Sequence, residues 1–315
     1  MKKTSKIMSL VLAGAMVLSM TACAGNTAET TSAAAKTQET AADTASKAEE
    51  TTGAEASESE TAAKAEGTTY KIGVLQLVQH TALDAANDGF IAALDDAGIA
   101  YEVDQQNASG DQSACQTVAS KFANEKKDLI LAIATPAAQA MVGAVEDTPV
   151  LITAVTDPAE SGLVDTNEKP GANVTGTSDL TPVKEQIDLL KQLVPEAKTV
   201  GVLYCSAESN SKIQADMAKE AIAAAGMESK EYTVSSSNEI QTVVQSMVGA
   251  VDAVYAPTDN VIAAGMATVG MVAGDNNLPV ICGEAGMVQN GGLATYGIDY
   301  YQLGYMTGQQ AVKIL

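Results

Sequence analysis

The sequence predicts an α/β protein with two similar lobes, each a doubly wound parallel sheet, joined by a hinge with a cleft between them. From Tyr70 onward, short continuous apolar runs alternate with amphipathic stretches of helical period, which is typical of parallel strands covered by helices. The same pattern then recurs, in the same order, about 124 to 130 residues later. These two observations together predict a duplicated domain.

The first copy alternates strictly between strands and helices. Residues 71–75 predict a strand, and residues 82–97 predict a helix that stops before Gly98. The runs that follow predict a strand at 101–103, a helix at 112–124, a strand at 128–133, a helix at 136–145 and a strand at 149–152.

The second copy repeats the landmarks of the first. Residues 72–75 (IGVL) recur as 200–203 (VGVL), and residues 148–152 (TPVLI) correspond to 278–282 (LPVIC). We expect residues 174–179 and 294–299, which resemble each other and each lead into a helix, to be crossovers between the lobes. Ligands of open α/β sheets bind outside the carboxyl ends of the strands, so the cleft is the predicted site, buried by hinge closure.

These assignments predict domain limits. The first lobe is expected to comprise residues 70–177 together with 299–315, and the second lobe residues 178–298. Because the sequence stops inside the helix that begins near Tyr300, we expect it to be truncated, with further elements and a third crossover following.

The first 69 residues differ from the rest. Lysines followed by a short apolar run predict a signal peptide at 1–22. The ending at 20–23 (MTAC) resembles a bacterial lipobox, which implies lipidation of Cys23 and a membrane anchor. Residues 23–69 lack aromatic side chains and predict a disordered tether.

Composition excludes several function classes. A net charge of −21 and a pI near 4.2 argue against nucleic acid as a partner. Cys115, Cys205 and Cys282 form an odd set without a Cys-x-x-Cys pair, so we expect free buried thiols and no disulfide, metal site or cofactor. The lack of a Gly-x-Ser-x-Gly motif or a phosphate-binding glycine loop argues against an enzyme.

Several segments resemble a known family. They are 73–76 (GVLQ), 80–84 (HTALD), 132–139 (AIATPAAQ), 153–158 (TAVTDP), 173–179 (NVTGTSD), 257–260 (PTDN) and 297–304 (GIDYYQLG). With these segments the chain resembles the substrate-binding lipoproteins of ABC importers, whose members include tryptophan- and tyrosine-binding proteins. The resemblance covers about 70–315.

The resemblance implies a type I periplasmic binding-protein fold and an amino-acid-like ligand, aromatic in some members. It also implies a permease and an ATPase as partners. We therefore expect a monomer, lipid-anchored on the extracellular face of the cytoplasmic membrane. A sensor of the same fold for a sugar or nucleoside-like solute remains the alternative, followed by an enzyme.

An amino acid requires donors for its carboxylate and an anion for its ammonium. Thr135, at a strand-to-helix junction, is the candidate for the carboxylate, with helix capping as the alternative. Asp259 is the first candidate for the ammonium, and it too could be a cap. Asp84, four residues after His80, is a candidate that could cap or orient it. The remaining candidates are polar residues in loops or at predicted sheet edges: Gln79, His80, Asp157, Ser178, Ser206, Asn210, Thr258, Glu284 and Asp299.

Overall fold

The computed structural model describes residues 68–315. The predicted signal peptide, the Cys23 lipidation site and all but the last two residues of the predicted tether lie outside the described residues. No helix among residues 68–315 has the length and apolar character needed to cross a membrane.

The described chain contains two five-stranded sheets in which all pairings are parallel. The first sheet has the spatial order β2-β1-β3-β4-β5 and consists of β1 (Tyr70–Gln76), β2 (Tyr101–Asn107), β3 (Leu129–Ile133), β4 (Val150–Val155) and β5 (Val174–Ser178). The second has the order β7-β6-β8-β9-β10 and consists of β6 (Thr199–Cys205), β7 (Glu228–Val234), β8 (Ala253–Ala256), β9 (Val280–Cys282) and β10 (Ala294–Thr295). Because the two orders are equivalent, the predicted duplicated fold is confirmed.

Helices connect successive strands, except that a loop without a helix joins β4 to β5. They are α1 (Thr81–Asp96), α2 (Gln112–Glu125), α3 (Thr135–Val142), α4 (Val183–Leu193), α5 (Ser209–Ala224), α6 (Ile240–Met247), α7 (Asn260–Ala264), α8 (Met266–Asp275), α9 (Ala285–Gln289) and α10 (Tyr300–Ile314). Three predicted limits were wrong. Strand β4 continues to Val155 rather than ending at 152, because its last residues still pair with β5. Helix α3 stops at Val142 because Gly143 follows as its C-cap, and β2 extends to Asn107 because its polar residues pair with β1 at the sheet edge.

The core of the first lobe lies around β3 and β4, whose residues are all buried. Helix α10 packs against α1 beside this sheet. The two helices approach closely because glycines face the partner backbone: a Cβ on Gly89 would lie 2.0 Å from the Tyr301 carbonyl oxygen, and a Cβ on Gly304 would lie 1.8 Å from that of Ala86. Close packing thus fixes the first turns of α1 and α10, and both contribute to the cavity described next.

Candidate functional site

A buried polar cavity lies between the two sheets, where strand ends meet. The first lobe contributes His80, Leu83 and Thr156 to its lining, and Tyr300 lies at the start of α10. Asp179, which directly follows β5 at the crossover between the lobes, also lines it. The second lobe contributes Asn210, Thr258, Asp259, Asn260 and Glu284. The space that can hold the centre of a water molecule is about 10 Å³, which corresponds to roughly one water. In this conformation the lobes therefore close tightly around polar side chains.

Three side chains of this cavity have a buried polar atom without a hydrogen-bond partner. These atoms are Oδ1 of Asp179, Oδ1 of Asn210 and Nδ1 of His80. Buried polar atoms in folded proteins are normally paired, so unpaired ones require an explanation. Their concentration around one cavity indicates a site prepared for a hydrogen-bonding ligand.

All three unpaired atoms are acceptors. The Asn210 amide nitrogen donates to Glu208 and to the Thr258 carbonyl, which leaves its Oδ1 as an acceptor. The Asn260 amide nitrogen likewise donates to Glu208 at 2.6 Å, so its Oδ1 accepts from His80 Nε2 at 3.3 Å. His80 Nδ1 then carries the lone pair. Burial lowers the pKa of His80, which favours this neutral form.

Asp179 differs from the other acids of the cavity. Its Oδ2 accepts a hydrogen bond of 2.8 Å from the Tyr300 hydroxyl, whereas its Oδ1 accepts none of good geometry. Burial raises its pKa to about 6, although the nearby Tyr300 and Thr156 hydroxyls favour the ionised form. Asp179 is therefore a buried carboxyl that a ligand cation would stabilise in its charged state.

The other carboxylates serve the backbone of the second lobe. Asp259 accepts from the N–H groups of Cys205 (2.5 Å) and Ile262 (2.8 Å), which makes it the N-cap of α7. Glu284 caps α9 through the N–H groups of Gly286 and Met287. Burial raises the pKa of both carboxyls.

Glu208 lies behind the cavity and supports its wall. Its Oε2 accepts from the Asn260 backbone and from the side chains of Asn260 and Asn210. Burial and the neighbouring Asp259 carboxylate raise its pKa. This network fixes the orientation of both asparagines.

Neutral hydrogen bonds of 3.2–3.3 Å link the lobes across the cleft. Gln214 Nε2 donates to the Thr156 hydroxyl at 3.2 Å and also to the Thr258 hydroxyl within its own lobe. Gln139 Nε2 donates to the Ser209 hydroxyl at 3.3 Å. His80 Nε2 donates to Asn260 Oδ1 at the same distance. Each such bond contributes about 1 kcal/mol at most, so closure depends on few weak contacts.

Two larger spaces flank the central cavity. One, of about 460 Å³, adjoins it at Glu284 and Tyr300 and is lined by Ala82, Ile298 and Tyr301 among others. The other, of about 430 Å³, adjoins it at Asn260. The first, with its apolar and aromatic walls, has the room that a bulky ligand group requires.

A family model described as ABC transporter substrate binding protein matches residues 71–315. The chain belongs to this family. Members are extracellular or periplasmic and work with a membrane transporter. The predicted family and role as a substrate-binding protein are thus confirmed.

Two relatives are similar over most of this substrate-binding protein. It is 42% identical to a tyrosine-binding protein of Clostridioides difficile (strain R20291), over 100% of this chain and 85% of the relative. It is 40% identical to an ABC domain from Streptococcus pneumonia solved in complex with L-Trp, with a TM-score of 0.77, covering 78% of this chain and 85% of that one.

A third similar protein indicates how the lobes are arranged. It is a substrate-binding protein with adhesive properties from Clostridium difficile, solved in a ligand-free, open structure. It is 49% identical, with the same coverage of 78% and 85%, yet its TM-score is only 0.59. Because the more similar sequence gives the poorer superposition, the lobes here are arranged more as in the L-Trp complex.

The structure brings five of the predicted site residues together at the cavity: His80, Asn210, Thr258, Asp259 and Glu284. Of these, Asp259 and Glu284 also cap helices, which was the alternative interpretation of such acids.

Several other predicted residues do not line it. Gln79 is exposed, and Asp84 accepts a hydrogen bond from Gln76. Thr135 is the first residue of α3, after the N-cap Ala134, and its buried hydroxyl is unpaired. Thus Thr135 is not the N-cap.

The remaining candidates hold loops and helix ends. Asp157 accepts from the backbone of Ala159, and Ser178 donates to the Thr156 carbonyl. Ser206 donates to the Val234 carbonyl. Asp299 caps α10 and lines the flanking space of about 460 Å³.

Sequence reasoning missed five polar residues of the cavity and its supports: Asp179, Thr156, Tyr300, Asn260 and Gln214. A signal for Asp179 exists, because it follows the crossover strand β5 but precedes α4 by four residues, too far to cap it. Gln214 and Tyr300 lie on helices, where spacing alone does not reveal a contact across the cleft.

Proposed function

We propose that this substrate-binding protein captures an α-amino acid with an aromatic side chain in the interlobe cleft and delivers it to a permease and its ATPase. The observation that carries the proposal is the set of three unpaired acceptors on Asp179, Asn210 and His80. An ammonium group has three N–H donors, which this set matches. The relatives named for tyrosine and solved with L-Trp favour the same ligand class.

In this proposal Asp179, rather than Asp259, provides the charge opposite the ammonium. Asp179 Oδ1 is unpaired, whereas both oxygens of Asp259 already accept backbone N–H groups. A buried ammonium requires a paired anion, because an isolated charge is costly to bury.

The first turn of α1 is proposed to receive the carboxylate. His80, its N-cap residue, makes no side-chain capping bond, and both His80 and Leu83 line the cavity. The free N–H groups of a helix N-terminus and the helix dipole favour an anion. The carboxylate would thus contact neutral N–H groups of the first lobe.

The ring is proposed to occupy the flanking space beside Glu284 and Tyr300. Its lining includes Ala82, Ile298 and the half-exposed Tyr301. Aromatic rings pack well against such residues, and tyrosine hydroxyls provide polar contacts. The central cavity would have to widen to admit the ligand, by opening of the lobes.

The cellular location is proposed from the sequence. We propose that Cys23 is lipidated and that residues 23–69 tether the two lobes, 70–177 with 299–315 and 178–298, to the membrane as a monomer. The protein is proposed to bind and release its ligand without converting it.

Titration calorimetry of purified protein against the twenty amino acids tests the proposal. We expect L-tyrosine or L-tryptophan to bind one-to-one and to be recovered unchanged. At a hundredfold excess over Kd the ligand should stabilise the fold by about 2.7 kcal/mol. Binding of a sugar or nucleoside with no response to any aromatic amino acid would contradict it.

A further inference from the structure

The cavity between the lobes is acidic. Asp179, Asp259 and Glu284 line it with exposed fractions of 4%, 1% and 3%, and Glu208 lies behind it. No lysine lines this cavity among residues 68–315, and the sequence contains no arginine. A ligand ammonium therefore meets an environment of complementary charge, whereas a ligand carboxylate meets no cationic side chain.

The unpaired hydrogen-bonding atoms of the cavity residues are also all of one kind. The three unpaired atoms on the residues that line this cavity are all acceptors, two of them on Asp179 and Asn210, which are nearly fully buried. Unpaired buried acceptors strongly favour a donor and gain nothing from a carboxylate. The first turn of α1 offers only uncharged N–H groups.

Two of the three acids that line the cavity already accept hydrogen bonds from the backbone. Asp259 and Glu284 accept the backbone N–H groups of α7 and α9, so their charge is partly offset by helix ends. Asp179 has one hydroxyl partner and one free oxygen. The ammonium thus gains a charged partner at Asp179, and loss of the ligand carboxylate removes only contacts to neutral groups.

We propose that the cleft also binds aromatic primary amines that lack the carboxylate, such as the decarboxylated forms of tyrosine and tryptophan. This inference rests on the proposed function for the binding of the aromatic ring. The ammonium is the required group, and the carboxylate adjusts affinity.

Calorimetry with matched analogues tests this inference on the intact protein. For tyrosine the set is L-tyrosine, tyramine and 3-(4-hydroxyphenyl)propionate, and for tryptophan it is L-tryptophan, tryptamine and indole-3-propionate. We expect the amine to bind within about tenfold of its amino acid, because only contacts to neutral donors are lost. The deaminated acid should bind at least about a thousandfold more weakly than the amino acid, because it leaves the buried acceptors unpaired and brings a carboxylate without a balancing ammonium into an acidic cavity. Competition between amine and amino acid should show one shared site.

The outcomes separate this inference from the proposed function. If the amino acid binds and the amine does not, or if the deaminated acid binds as well as the amine, the inference is overturned and the proposed function stands. If the amine binds and no amino acid does, the proposed function fails and the ammonium-centred site is supported. If neither class binds, both fail.

Discussion

The cleft faces of the two lobes differ although their sheets have the same strand order. In the second lobe, Asp259 and Glu284 cap α7 and α9, and Gln214 and Glu208 bond the neighbouring side chains. In the first lobe, α1 and α3 have no side-chain cap. A duplicated scaffold therefore keeps its topology while acids cap two cleft-facing helices of the second lobe, and α1 and α3 of the first lobe have no side-chain cap.

The first lobe also holds backbone strain at this edge. Ala134 and Ala154, at the carboxyl ends of β3 and β4, have φ of 83° and 54°. Non-glycine residues rarely adopt positive φ, and such residues cluster at functional sites. Since His80 Nδ1 also belongs to this lobe and Asp179 bonds Tyr300 of α10, we infer that the ligand binds the first lobe first and that the second lobe closes over it.

The largest expected effect is that of Asp179→Asn. The variant keeps the Tyr300 contact but removes the charge opposite the ammonium, so affinity for the aromatic amino acid should fall at least about a hundredfold. Titration calorimetry measures this affinity. The matched control is Asp147→Asn, at an exposed position before β4 on the opposite edge of the sheet, which should bind as wild type. Equal affinities of the two variants would remove Asp179 from the site.

The pH dependence of binding should follow Asp179. Its pKa is raised to about 6, so the ionised form that pairs with an ammonium is depleted at lower pH. Affinity should fall about tenfold from pH 7.5 to pH 5. The folding stability of the ligand-free protein changes with pH in the opposite direction to the binding affinity. The stabilising contribution of this raised pKa is full below about pH 4 and is lost as pH rises through 6. A binding affinity independent of pH over this range would contradict the assignment.

Closure of the lobes should depend on Gly286. A Cβ at this position would lie 2.7 Å from Thr81 Cβ across the cleft, so Gly286→Ala should weaken binding about tenfold by hindering closure. Scattering profiles with ligand should remain more open than those of wild type.

The control for this change is Gly274→Ala, in α8, where an added Cβ meets nothing within 4 Å. It should raise stability by up to about 1 kcal/mol and leave affinity unchanged. Wild-type affinity and scattering for Gly286→Ala would show that the lobes do not meet at this point.

The smallest expected effect is that of Thr156→Val. It removes the acceptor of the Gln214 bond across the cleft while Gln214 keeps Thr258 as a partner. Affinity should fall several-fold, since a neutral bond across the cleft is lost and Asp179 also loses a hydroxyl that favours its ionised form. Thr148→Val, before β4 at the other sheet edge, should alter thermal stability but not affinity. A loss as large as that of Asp179→Asn would mean that the Gln214 contact contributes far more than one neutral hydrogen bond.

The fold could be predicted because periodicity and repetition are properties of the chain itself. Asp259 and Glu284 were predicted, but the different roles of the acids were not, because Asp179 and Asp259 both follow strands and differ only in the distance to the next helix. Asp259 precedes α7 directly and its Oδ1 accepts the N–H of Ile262, whereas Leu180, Thr181 and Pro182 separate Asp179 from α4. Contacts across the cleft, such as that of Gln214 with Thr156, depend on how the lobes close, which local sequence does not encode.

A crystal structure of the protein with bound L-tyrosine or L-tryptophan tests most directly which residues of the two lobes bind the ammonium. The expected result is an ammonium nitrogen about 3 Å from Asp179 Oδ1, Asn210 Oδ1 and His80 Nδ1, with the ring beside Tyr300. An ammonium bound to Asp259 instead, or a ligand bound only to the second lobe, would contradict the account.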